Sequence, residues 1–201
     1  MIKERLAREV DALILRIAPA VARIPLSPDH LTLLGGAVSL AAGAVYATGH
    51  PVIGGFVLIL AGVFDLIDGI VARCQGVASP AGSFFDSTMD RVSDLAVLSG
   101  IAVNMARLGE PWGAALACWA LSGSVLTSYA KARAEVILQE ELTVGWMERA
   151  ERVLVIIVAS IANQLVWGLW IVALGATATS LQRIWVARQR LLAKQPPKAD
   201  A

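Results

Sequence analysis

Cysteine is almost absent from the chain: Cys74 and Cys118 are the only two in 201 residues. They have neither the spacing of a metal site nor the number a disulfide framework needs. Net charge is equally slight, +1 at pH 7, so bulk charge gives no reason to expect a nucleic-acid partner, and the placement of the charges matters more than their sum. The first 17 residues lack the continuous apolar core of a cleavable signal peptide. Charge is missing altogether from long windows. Between His30 and Asp65 only His50 can carry one, and none occurs from Val153 to Gln182. Charges clustered between such windows exclude the surface of an ordinary soluble domain.

What remains is apolar: 57% of the residues are hydrophobic and the mean hydropathy is +0.66. A bilayer core needs about 20 apolar residues per helix. The window from Asp29 to Asp65, broken by "ATGHPVIGG", holds two such helices. A third is predicted from Pro80 to Leu108 and a fourth from Trp112 to Ile137, with a fifth and sixth folded around "ANQLVWG". The expected fold class is an all-α membrane protein with six transmembrane helices and both termini on one side. Lys3, Arg5, Arg8, Arg16, Arg23, Arg73, Lys131, Arg133, Arg149, Arg152, Arg188, Arg190, Lys194 and Lys198 fall at the face shared by the termini, against Arg107 alone opposite. That bias makes the termini cytoplasmic in a multi-pass protein of the cell membrane. Trp112, Trp167 and Trp170 fit an outer interfacial belt, and Trp146 and Trp185 an inner one; filling of packing space would account for each singly.

Three segments are expected. Residues 1–24 place Ile2, Leu6, Val10, Leu13, Ile14 and Ile17 at helical spacing against a charged face, an amphipathic juxtamembrane helix on the inner leaflet. Residues 25–192 form the six-helix domain, and 193–201, within "AKQPPKADA", a flexible tail. Ser27 is placed to N-cap the first span with Pro28 following, which turns free N–H groups toward the cytoplasm, where a phosphate can be received.

One stretch defies the apolar setting. "DLIDGIVARCQGVASPAGSFFDSTMD" sets Asp65, Asp68, Asp86 and Asp90 among isoleucines, leucines and phenylalanines. At about 2.5 to 3.5 kcal/mol for an Asp at the centre of a spanning helix, the four together cost roughly 10 kcal/mol unless compensated. Asp65, Asp68 and Ala72 share a face at the cytoplasmic end of span two, and Gly82, Asp86 and Asp90 one at the start of span three. The turn "CQGVASP" makes these helices antiparallel neighbours, so the carboxylates converge at the inner membrane border. Arg73 and Arg91 do not neutralise them, whereas an oxygen-rich anionic cluster suits Mg²⁺ or Mn²⁺. Gly69, Ala72 and Gly82 leave room beside it. Helix packing alone explains the small residues but not the acids.

The pattern Asp65-x2-Asp68-Gly69-x2-Ala72-Arg73-x8-Gly82-x3-Asp86-x3-Asp90 resembles in full the signature of the CDP-alcohol phosphotransferase family. The resemblance covers nearly the whole chain. It implies a six-helix homodimer, a CDP-lipid donor, release of CMP, and two divalent ions on Asp65, Asp68, Asp86 and Asp90. It further implies Asp90 as general base, and Ser27, Pro28, Asp29, His30, Asp68, Gly69, Ala72, Arg73, Ser79 and Gly82 around the donor. Asp94 continues the same helical face as a supporting group or a helix-to-helix hydrogen bond.

Basic residues bear on the acceptor. "SYAKARAE" supplies Lys131 and Arg133, "ERAER" Arg149 and Arg152, and "LQRIW" Arg183, all toward the motif face. A phosphomonoester suits such guanidinium forks, although the positive-inside rule also scatters basic residues there. These segments are similar to those of the phosphatidylinositol-phosphate and archaetidylinositol-phosphate synthases. That resemblance implies inositol 1-phosphate as acceptor, its phosphate held by Lys131, Arg133, Arg149, Arg152 and Arg183. "VILQEELTVGWM" has no counterpart in it. A phosphatidylglycerophosphate synthase using glycerol 3-phosphate is the alternative. A cation transporter is a third reading, opposed by the apolar outer halves of spans two and three.

Overall fold

The structure, a computed structural model, describes residues 26–194. The juxtamembrane helix expected over residues 1–24 lies outside the described residues, as does the tail beyond Lys194. The described residues form six helices and no strand: α1 Pro28–Ala47, α2 Pro51–Cys74, α3 Pro80–Arg107, α4 Pro111–Leu138, α5 Arg149–Ile161 and α6 Leu165–Ala193. Ala193, expected in the tail, is therefore helical.

Local sequence fixes most of these boundaries. The first four helices each open on a proline, whose missing N–H costs nothing there and whose ring pre-sets φ. At the two turns remote from the aspartates, Gly49 (φ 88°) and Gly109 (φ 75°) adopt left-handed backbone. Each glycine ends one helix, and the proline two residues later begins the next.

The helices close into a ring: α1 packs on α2 and α3, α3 on α4, α4 on α6, α6 on α5, and α5 on α2. Tyr46, Ile101, Ala117, Leu169 and Val172 are wholly buried at its centre. The outer surface is apolar too, with Leu33, Leu40, Phe56, Leu60, Leu154, Ile171 and Leu174 exposed. Hydroxyls lie inside instead. Tyr46 shares a 2.7 Å hydrogen bond with Ser160, and Thr127 donates to the Ala176 carbonyl at 2.9 Å. Three helices, α1, α2 and α6, are long and apolar enough to cross a membrane by length and composition.

The fifth helix opens within "ERAER", ahead of the charge-free window that begins at Val153. With 13 residues, α5 rises about 20 Å. Residues 139–148 before it are non-helical and mostly exposed, anchored to the interior by Leu142, which is fully buried, and Met147, nearly so.

Close approach of α1 and α3 depends on two glycines. A Cβ on Gly43 would collide with the Ala96 carbonyl, and one on Gly100 with the backbone of Gly43. A Gly100→Val variant should accordingly lose about 1–3 kcal/mol to overpacking, read as a lower melting temperature in detergent. An unchanged melt would show that the two backbones have room to separate.

Candidate active site

α2 ends and α3 begins at the same rim of the ring, so the helical spacing of their acids becomes convergence in space. One carboxylate oxygen each from Asp65, Asp68 and Asp86 lies within 4.8 Å of the others. Three acidic oxygens so close suit a hard divalent cation, which tolerates carboxylate ligands and supplies the missing positive charge. Asp68 is buried, and Thr32 on α1 donates to its Oδ2 at 2.6 Å. The sequence reading did not single out Thr32. Its signal, a hydroxyl one turn into α1, gains meaning only when α1 is packed against α2.

Asp90 stands outside this triad. Nη1 of Arg149 reaches Asp65 Oδ2 and Asp90 Oδ1, each at 2.9 Å, tying three helices together. Arg91 is a looser neighbour of Asp90 at 3.4 Å. The counter-charge that Arg73 and Arg91 do not provide therefore comes from Arg149, a residue the sequence grouped with the acceptor cations.

Beside the triad opens a cleft of about 560 Å³. Ser27, Pro28, Asp29, Asp68, Gly69, Ala72, Arg73, Ser79 and Gly82 all line it, joined by Thr32, Gln75 and Asp86. His30 does not; its ring nitrogen meets the Ser27 hydroxyl at 2.6 Å. Two helices begin here. Ser27 caps α1 by accepting from the His30 N–H, and Ser79 caps α3 by accepting from that of Gly82 at 3.1 Å. Two N-terminal helix ends in one cleft suit an anionic diphosphate. A Cβ on Gly82 would meet nothing nearer than 3.4 Å, and one on Gly69 nothing nearer than 4.0 Å. Unlike Gly43 and Gly100, these glycines leave cleft space rather than permit helix contact.

The five acceptor cations separate. Lys131 is half-buried and 3.9 Å from Glu135, and Arg133 is exposed. Arg183 is buried, donating to the Val144 and Thr127 carbonyls and, from Nη2, to Glu148 at 2.5 Å. Glu148 is the N-cap of α5, so Arg183 and Arg149 lie close together. Arg152 turns inward, away from an open phosphate seat: it is 4% exposed and paired with Asp94 at 2.8 Å.

Comparison with known proteins agrees with this geometry. Residues 25–181 match the family model for CDP-alcohol phosphatidyltransferase, and the chain belongs to that family. It is 34% identical over 181 residues to the archaetidylinositol phosphate synthase of Pyrococcus horikoshii, covering 88% of this chain and 91% of that one. Identity to the phosphatidylinositol phosphate synthase of Streptomyces avermitilis is 36% over 189 residues, 87% of this chain and 75% of that one. The Mycobacterium tuberculosis phosphatidylinositol phosphate synthase with CDP-DAG bound superposes with a TM-score of 0.79 at 27% identity, over 94% of this chain and 98% of the other. A second structure of that enzyme, in complex with manganese and citrate, gives 0.78 at 28% identity over 94% and 92%.

Thr32 supplies the first test of the site. Removing a hydrogen bond that orients a ligand weakens metal affinity roughly tenfold or more. Thr32→Val should do so in a manganese titration, and Thr32→Ser should retain the native affinity. Equal affinity in both variants would show that Asp68 is held without the hydroxyl.

Proposed function

We propose that the protein transfers the phosphatidyl or archaetidyl group of a CDP-lipid to myo-inositol 1-phosphate, releasing CMP. The observation that carries this reading is the junction of a carboxylate triad, a cleft fed by two helix N-termini, and Asp90 tethered to Arg149. The names of the relatives favour this acceptor over glycerol 3-phosphate.

In this reading the cleft takes the cytidine diphosphate. Ser27, Ser79 and the first N–H groups of α1 and α3 face the phosphates, with Arg73 adding charge and Gly69, Ala72 and Gly82 leaving room. Pro28 and Asp29 belong to the same wall, and His30 acts on it only through its hydrogen bond to Ser27. Asp65, Asp68 and Asp86, with Asp90, would hold two divalent ions, Mg²⁺ or Mn²⁺, which when bound offset charge on the diphosphate and the departing CMP. Asp90 accepts the proton of the attacking hydroxyl. The new bond joins that oxygen to the lipid-side phosphorus as the bond to the CMP oxygen breaks.

The acceptor phosphate lies against Lys131, Arg133 and Arg149. Arg183 is buried and donates to the Val144 and Thr127 carbonyls and to Glu148, so in this reading it supports the start of α5 beside the seat and does not itself reach the ligand. Arg152 is removed from this group, because its head is buried against Asp94.

All six helices cross the membrane in this proposal, with both termini and the active site on the cytoplasmic side. Helix ends alternate between the two rims, and the aspartate rim carries Arg73, Lys131, Arg133, Arg149, Arg188, Arg190 and Lys194, the other rim Arg107. Exposed Trp112 and Trp167 at one rim and Trp146 and Trp185 at the other fit two interfacial belts. Residues 25–192 form the catalytic domain, and the enzyme works as a homodimer.

Purified enzyme with Mg²⁺ and a CDP-lipid should release CMP on addition of inositol 1-phosphate and yield a phosphorylated inositol lipid. Asp90→Asn should lower kcat by roughly 10² to 10⁴ with the KM for the CDP-lipid little changed. Turnover of glycerol 3-phosphate alone would identify a phosphatidylglycerophosphate synthase. Metal flux in liposomes without CMP would identify a transporter.

A further inference from the structure

Arg149 opens α5 at the position where a cation opposes the helix dipole. Its partners, Asp65 and Asp90, are groups that turnover must engage with ligands. Something else must therefore fix where it stands. Three residues on, Arg152 is buried; its Nη2 donates to Asp94 at 2.8 Å and its Nη1 to the Met147 carbonyl at 3.2 Å. Asp94 lies four residues beyond Asp90 on α3, one helical turn deeper. Two parallel rungs thus join α3 to α5, Asp90 with Arg149 at the cleft and Asp94 with Arg152 below it.

α5 packs on α2 and α6, and it reaches α3 across the ring through these ion pairs. Between them lies a cavity of about 20 Å³ bordered by Ser93, Asp94, Ser124, Arg149 and Arg152. Nε of both arginines is buried without a hydrogen-bond partner among the described residues, and a space of that size takes one water. Val153 and Ile156 of α5 and Val97 and Leu98 of α3 close the apolar side of this cavity, whereas at the level of Arg149 and Arg152 the directed contacts from α5 to α3 are the two ion pairs.

We propose that the Asp94–Arg152 pair is a positioning strut that holds the first turn of α5, and with it Arg149, at the place where the acceptor's phosphate is received. The proposal rests on the acceptor reading above. Arg152 fixes the α5 start from two sides, through Asp94 on α3 and through the backbone carbonyl immediately before the N-cap. A buried ion pair is a weak source of stability, and well-packed apolar residues in its place are often neutral or better. What such residues do not reproduce is a directed fork between two helices.

This difference makes the strut separable from a stabilising contact. Asp94→Asn alone leaves Arg152 buried without counter-charge and should lower the melting temperature. The double variant Asp94→Leu with Arg152→Met should recover the melting temperature. Its KM for inositol 1-phosphate should nevertheless stay raised roughly tenfold, as expected for a misplaced binding group. Its KM for the CDP-lipid and its kcat at saturating acceptor should stay within about twofold of the parent, because the cleft on α1 to α3 is untouched. Recovery of the acceptor KM in step with the melting temperature would overturn the proposal, as would equal shifts in both KM values.

If the double variant does not fold, Arg152→Lys keeps the buried charge and loses the fork, and an unchanged acceptor KM there overturns the strut. Arg149→Gln separates the strut from the reading beneath it. A normal acceptor KM in that variant defeats the acceptor assignment and the strut together. A raised KM there beside a normal one in the folded double variant defeats the strut alone.

Discussion

One guanidinium shared by two carboxylates organises this protein. Asp65 comes from α2 and Asp90 from α3, and Arg149 of α5 touches both at 2.9 Å. Acids at a membrane border are costly unless a cation meets them, and this cation must arrive at their depth. It does so as the first residue of α5, a helix only 13 residues long. The connection before it enters the interior at Leu142 and Met147, and its backbone groups need partners there. They find them: Leu142 N–H bonds Glu135, Met147 N–H bonds Thr179, and the Val144 carbonyl accepts from Arg183. Arg183 of α6, the connection and the first turn of α5 are thus joined around the place where this one charge stands.

Small residues serve two ends that composition alone does not separate. Gly43 and Gly100 permit backbone contact between α1 and α3, because any side chain there meets main chain. Gly69 and Gly82 face open cleft, where a Cβ meets nothing closely. The first pair joins the C-terminal halves of α1 and α3, and the second keeps the space at their N-terminal ends accessible. Ser27 and Ser79 then work side by side in one cleft although far apart in sequence.

Much of this was legible in the sequence because it is local. Proline at helix starts and glycine before it bound α1 to α4 within a residue or two of expectation, and the three-and-four spacing of the acids put Asp65, Asp68 and Asp86 together. The basic residues were harder. Arg149 and Arg152 share a helix and a composition, and only the ring's closure sends one to Asp65 and Asp90 and the other to Asp94. Thr32 escaped notice for the same reason, since its partner lies 36 residues away on another helix. The start of α5 was legible in "ERAER", ahead of the charge-free window, which marks only where a helix is apolar. The helix itself begins where Glu148 and Glu151 form its capping box.

The chain divides its chemistry along its length. α1 to α3 carry the cleft, the triad and Asp90; α4 to α6 carry Lys131, Arg133, Arg149 and Arg183. On the proposed reading the donor is bound by the first half and the acceptor by the second, and the reacting oxygen lies at their junction beside Asp90. The lipid chains belong to neither half. Identity is similar to a relative named for archaetidyl transfer, 34%, and to one named for phosphatidyl transfer, 36%. The ring's exterior offers hydrocarbon an unspecialised surface of leucine, isoleucine and phenylalanine. Hydrophobic contact is non-directional, so that surface accepts either kind of chain. On the proposed reading, selection falls instead on the diphosphate, met by the N-terminal ends of α1 and α3, and on the acceptor phosphate, whose charge needs donors in fixed places, among them Arg149 at the start of α5.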